Sequence, residues 1–131
     1  MTTTLNYVAY AALLTWVTIM IASVVRTQGW TSKGLMLAFG NRDNLPPETP
    51  VAGRAERAAR NTVDNLLLFT ALALTAHAIG ADGSQVETGA QVFFWARVAY
   101  VPVYLIGIPY LRTAVWTVGI VGLAMILLAI L

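Results

Sequence analysis

The residues able to do chemistry concentrate in one stretch, Arg57-Ala-Ala-Arg60-Asn61-Thr-Val-Asp64-Asn65. Arginine binds carboxylates and phosphates bidentately and is less hydrated than lysine. Seven of the eight basic residues are Arg, with Lys33 the exception, so the chain is equipped to hold anionic groups. No Gly or Pro lies between Arg54 and Ile79, so the polar stretch and the apolar segment Leu66–Ile79 belong to one helix. Arg57, Arg60, Asn61 and Asp64 then fall at i, i+3, i+4 and i+7, on one face. The apolar segment has 14 residues, fewer than the about 20 needed to cross a bilayer core. The charged residues therefore stand close to membrane depth, where each costs at least ~2.5–3.5 kcal/mol near the centre and less toward the interface. Residues so placed face a bundle interior or a wet cavity. The bland alternative is a solvated, positive-inside flank, but a flank needs neither Asn61 nor Asp64 on the arginine face.

The composition sets the surroundings of this stretch. Of 131 residues, 58% are hydrophobic and 11% charged, against about 25% charged in a soluble domain. The expectation is a one-domain integral membrane protein, all-α. With no Cys there is no disulfide and no protein thiolate, so any sulfur chemistry must come from a ligand. His77 is the only His and has no carboxylate cluster around it in sequence, so no metal site is expected. A net charge of +2 without a basic tract gives no case for nucleic acid.

Four spans position the polar stretch, at about 5–26, 50–80, 85–107 and 110–131. Leu5–Val25 is 21 charge-free residues, read as a retained span that ends at Arg26. Arg26 is either a snorkelling interfacial anchor or a site residue. Residues 27–53 hold Gly29, Gly34, Gly40, Pro46, Pro47 and Pro50 and read as one long loop, in which Leu35–Phe39 is apolar enough to lie on the membrane surface. Thr49-Pro50 reads as an N-cap and first helical position. Gly80–Gly83 ends that helix, and Ser84-Gln-Val-Glu87 reads as a capping box for the next. There Arg97, Tyr100 and Tyr104 share a face, and Pro102 should kink the helix. The tyrosines are belt residues or site residues. Gly107-Ile-Pro109 is a turn, and Thr113–Leu131 is the last span, with Arg112 at its entrance. His77, at the far end of its helix, reads as a polar residue satisfied inside the bundle.

The first loop and its flanks carry Arg26, Lys33, Arg42, Arg54, Arg57 and Arg60, and the third junction carries Arg112. The second loop carries only Asp82 and Glu87. The positive-inside rule makes the first and third junctions cytoplasmic. Arg26, the Arg54–Asp64 face, Tyr104 and Arg112 then gather at the cytoplasmic half of the bundle.

Three segments resemble one family. Arg57-Ala-Ala-Arg60-Asn61-Thr-Val-Asp64-Asn65-Leu66 resembles the RAxxNxxEN signature of MAPEG, the membrane-associated proteins of eicosanoid and glutathione metabolism, with Asp64 standing where Glu is usual. Gly40-Asn-Arg-Asp-Asn-Leu-Pro-Pro47 resembles the bacterial branch. Trp95-Ala-Arg97-Val-Ala-Tyr100-Val-Pro-Val-Tyr104, with Arg112-Thr113 after it, resembles the helix-three and helix-four segments. The resemblance implies a four-helix membrane bundle, a homotrimer, with glutathione bound between subunits. By position it implies that Arg26, Arg57, Arg60, Asn61, Asp64, Arg97, Tyr100 and Tyr104 bind glutathione. It implies a catalytic pair in Arg112, which holds the thiolate, and Thr113 beside it.

The chemistry agrees with the resemblance. Glutathione has two carboxylates for Arg, an ammonium for Asp64, and a thiol that a guanidinium converts to the reactive thiolate. The expected function is a glutathione transferase or peroxidase for lipophilic electrophiles arriving through the membrane lipid, sited in a bacterial inner membrane and facing the cytoplasm. The runner-up is a non-catalytic relative that binds a small anion or lipid headgroup with the same arginines. A small multidrug exchanger would need an embedded acid in the first span, and Leu5–Val25 has none.

Overall fold

The computed structural model describes residues 2–131. Five helices follow in order: α1 Thr3–Thr27, α2 Ser32–Phe39, α3 Pro50–Ala78, α4 Ser84–Ile106 and α5 Pro109–Ile130. The long helices run antiparallel to their neighbours, as the joining bonds show. Arg26 at the end of α1 reaches Pro46 before α3, Arg54 near the start of α3 reaches Leu105 at the end of α4, and Gln85 at the start of α4 reaches Met125 near the end of α5.

The helix ends follow local chemistry. Thr49 caps α3, accepting from the Ala52 amide at 3.2 Å, and Pro50 takes the first turn, as expected. The C-terminus of α3 closes with Gly80 at φ +75°, with Ala81 N–H on Ala76 O at 2.8 Å and Gly80 N–H on His77 O at 3.2 Å, a Schellman arrangement. The expected capping box does not form. Gly83 is the N-cap of α4 without a side-chain bond, and Ser84 is already helical. Helix α4 continues through Pro102 to Ile106.

Two expectations change. The loop over 27–53 contains a helix, so the four-helix count becomes five. Thr31 caps α2, and Gly34, which reads as a breaker, lies inside it because α2 packs its backbone directly on the end of α1. A Cβ at Gly34 would run into the carbonyl oxygens of Thr27 and Gln28. His77 is not inside the bundle. It stands half-exposed at the end of α3, paired through Nδ1 with Asp82 Oδ2 at 2.7 Å.

Three helices, α1, α4 and α5, are long and apolar enough to cross a membrane. Helix α3 has the length, 29 residues, but its first half carries Arg54, Glu56, Arg57, Arg60 and Asp64. Large apolar side chains point outward, among them Trp16, Leu67 and Leu128. Alanines fill much of the interior, including Ala52, Ala55, Ala58, Ala73, Ala76 and Ala90. Small residues inside and large apolar ones outside is the arrangement for lipid surroundings, where close backbone approach drives association. Helices α4 and α5 pack most intimately, through Gly89 and Gly122. A Cβ at Gly122 would lie 2.6 Å from Gly89 O and 2.7 Å from Phe93 N.

This contact makes two glycines on one helix differ in sign. Gly122→Ala should lower the thermal midpoint in detergent, since the obstructing atoms are backbone and overpacking costs about 1–3 kcal/mol. Gly119→Ala meets Ala96 Cβ at an ordinary 3.6 Å, so it should leave the midpoint unchanged or raise it. Equal melting shifts for the two variants would contradict the packing described.

Candidate functional site

Neighbouring residues on a helix point about 100° apart, and this divides the polar face of α3. Asn61 turns toward α4, while Arg60 turns toward α1. Asn61 Oδ1 accepts a hydrogen bond from Arg97 Nη1 at 2.9 Å, and Thr62 Oγ1 accepts one from Arg97 Nη2 at 2.7 Å. Thr62 in turn donates to Ala58 O. The Arg97 guanidinium is buried, 2% exposed, and lies 4.0 Å over the Tyr100 ring. Among the described residues no carboxylate pairs with it, and its Nε finds no partner. Its charge is held by an amide, a hydroxyl and an aromatic face.

The polar chain continues outward from Arg97. The rings of Tyr100 and Tyr104 meet edge to face, 5.4 Å between centroids. Arg57 Nε donates to the Tyr104 hydroxyl at 3.2 Å, and the Arg112 guanidinium stands 4.8 Å over the Tyr104 ring. Asn61, Tyr100, Tyr104, Arg112, Thr113 and Trp116 line a cavity of about 220 Å³. Arg112 sits in the first turn of α5, where the positive end of the helix dipole adds to its charge. No carboxylate is part of that lining, so the cavity is electropositive, with aromatic walls.

The structure does not bring all the expected residues into this cavity. Arg26 and Arg60 line a second one, of about 490 Å³, on the α1 side of α3. Arg26 Nη1 donates to Pro46 O at 2.8 Å. Arg60 forms an exposed pair with Glu56 at 3.0 Å, a contact worth about 0–1 kcal/mol. Asp64 is exposed and, among the described residues, makes no hydrogen bond or ion pair. The sequence does not single out Trp116 and Thr62, and it places Arg54 at this end without its contact to α4. Trp116 lies one turn after Arg112, a spacing that would have revealed it. Thr62 was hidden by its small polar side chain. Arg54 spans from α3 to the end of α4, donating to Leu105 O at 3.0 Å and packing over Gly107.

Antiparallel helices with lipid-suited exteriors and a cationic cavity at one end define a multi-span membrane protein. A model of the MAPEG family matches residues 3–131, essentially the whole chain, and the protein belongs to that family. No curated protein and no solved structure matches it.

The site geometry predicts an order of stabilities. Asn61→Ala removes an acceptor from the buried Arg97 and should cost about 1–3 kcal/mol, the range for leaving a buried donor unmet. Arg60→Ala breaks only an exposed pair and should cost under about 1 kcal/mol. Thermal unfolding in detergent checks the order, and a larger loss for Arg60→Ala would contradict it.

Proposed function

We propose that the protein is a membrane-bound glutathione transferase or peroxidase that acts on lipophilic electrophiles. The observation that carries this reading is Arg112 over Tyr104 at the wall of the Asn61–Trp116 cavity, beside Thr113. Family membership supports glutathione as the ligand. The donor set suits it, since Arg57, Arg112, Asn61 and the tyrosine hydroxyls are matched to carboxylates and a thiolate. Glutathione supplies the nucleophilic sulfur.

In this reading Arg112 holds negative charge at the sulfur position, helped by the start of α5, and the Thr113 hydroxyl stands next to it. Arg57 fixes the Tyr104 hydroxyl, and the buried Arg97 fixes Asn61 and Tyr100, so the cavity wall is preorganised. Arg26 and Arg60 join the site across a boundary between copies, because within one chain they open on the other side of α3. Asp64, exposed and unpaired among the described residues, is the available partner for the ammonium. The assembly is a homotrimer, with α3 crossing as a fourth span. The site faces the cytoplasm of a bacterial inner membrane, and the electrophile enters from the lipid.

The test separates binding from chemistry. An interaction made only with the thiolate and transition state lowers the barrier without strengthening ground-state binding. Arg112→Ala should cut turnover about 10²-fold, the scale for losing one preorganised charge stabiliser. It should also move the midpoint of the bound thiolate's ultraviolet band to higher pH, with glutathione affinity below that midpoint little changed. Arg112→Lys should recover part of the loss, since it keeps the charge but not the planar fork. Identical midpoints in wild type and Arg112→Ala would remove Arg112 from this role, and absence of glutathione binding to wild type would end the reading.

A further inference from the structure

Arg54 lies three residues before Arg57 on α3, on the same side of the helix. An arginine that merely flanks a span extends its charged head into water. Arg54 is half-buried and folds back over the end of α4 instead. Its Nε donates to Leu105 O at 3.0 Å, and its Cδ, Nε and Cζ lie 3.2 to 3.3 Å from where a Cβ on Gly107 would stand. Its Nη1 and Nη2 make no hydrogen bond among the described residues.

The contact falls where α4 needs it. The last carbonyls of a helix have no intrahelical partner, and a cation there also meets the negative end of the helix dipole. The N–H groups of Gly107 and Ile108 both return to Val103 O, at 3.1 and 3.4 Å, so neither reaches Leu105 O. The turn has little else to hold it. Gly107 adopts φ +87°, and α5 starts at Pro109 without a side-chain cap. Ile106, Ile108, Tyr110 and Leu111 are all exposed within one chain. Among the described residues, Arg54 supplies the one hydrogen bond that ties residues 105–111 to α3.

Arg112 hangs on that same turn. Its N–H donates to Ile108 O at 3.0 Å, and its guanidinium stands 4.8 Å over the Tyr104 ring. The Tyr104 hydroxyl is held by Arg57. From one side of α3, Arg54 and Arg57 thus hold the backbone that carries Arg112 and the ring on which it rests.

We infer that Arg54 is a positioning residue for Arg112. It touches no ligand, and through the Gly107–Pro109 turn it sets where the Arg112 guanidinium stands. The inference rests on the reading of Arg112 as the group at the sulfur. Displacing such a group by about 1 Å costs up to about 10²-fold in rate.

The test uses full-chain variants in detergent. The amide nitrogen of Gln falls where Arg places Nε, so Arg54→Gln keeps the donor to Leu105 O and loses the charge. Arg54→Ala should raise the midpoint of the bound thiolate's ultraviolet band by about one pH unit, a tenfold loss of thiolate preference. It should cut kcat about tenfold and leave KM for glutathione little changed. Arg54→Gln should return both to near wild type. In an Arg112→Ala background, Arg54→Ala should add nothing, because a residue that acts through Arg112 has no effect without it. An unchanged midpoint in Arg54→Ala overturns the inference. So does Arg54→Gln behaving as Arg54→Ala, which would mean that the charge itself acts on the sulfur, and so does an additive shift in the double variant. Hydrogen exchange of the 107–113 amides in ligand-free protein gives a readout independent of glutathione. Exchange there should be about tenfold faster in Arg54→Ala and near wild type in Arg54→Gln, and equal exchange in all three proteins overturns the inference. If wild type binds no glutathione, the transferase reading fails, and the exchange comparison still decides whether Arg54 holds the turn.

Discussion

The guanidinium of Arg97 sets the arrangement of the rest of the site. It is buried between α3 and α4 with no acid against it, and an unpaired charge in such a place is costly. Only a particular register of the two helices lets Asn61 and Thr62 accept its N–H groups while Tyr100 offers its ring face. A slip of one residue along α3 would turn these acceptors by about 100° and strand the charge. The polar groups thus lock a helix pair that Arg54–Leu105, Arg57–Tyr104 and Phe69–Phe93 also join. They also leave uncompensated positive charge directly behind the cavity wall, which is where an anionic ligand gains from it.

The packing that permits this is nearly the reverse of a soluble core. Alanines along α3 let its neighbours approach closely, and Gly89 against Gly122 brings α4 and α5 to backbone contact. In the half away from the site, Phe69 and Phe93 meet at 4.4 Å between ring centroids. The site half is held by hydrogen bonds and cation–ring contacts. One end of the bundle is therefore apolar and close-packed, and the other is polar and hollow. A polar, hollow end suits entry of a charged ligand from water, and the lipid-facing walls suit entry of an apolar one.

Both cavities lie at the same end because every arginine-bearing junction does. Arg26, Arg42, Arg54, Arg57 and Arg112 belong to three different junctions, and the antiparallel order brings them together. Arg54 shows that not every arginine there serves a ligand. It closes the exposed carbonyl end of α4 and lies over Gly107, whose φ of +87° ends the helix. Such a cap holds the α4–α5 turn in place and with it the start of α5, from which Arg112 projects.

Helix periodicity, the Thr49-Pro50 start and the Gly80 and Gly107 stops are local effects, and the sequence by itself determined them to within a residue or two. It also determined that Arg26, the Arg54–Asp64 face, Tyr104 and Arg112 share one end of the molecule, because alternation of spans requires it. Local rules failed where a tertiary contact decided. Gly34 reads as a breaker until α2 is seen pressed on the end of α1, where only a residue without a Cβ fits. His77 reads as interior until the turn after α3 brings Asp82 back to it. The four polar residues of α3 share a face by spacing, yet an arc that wide touches two neighbours. Which of those residues meets α4 and which meets α1 depends on how the helix is rotated in the bundle. That rotation is set by packing of Ala58 and Thr62 against α4 and by the buried guanidinium of Arg97, not by anything within α3 alone.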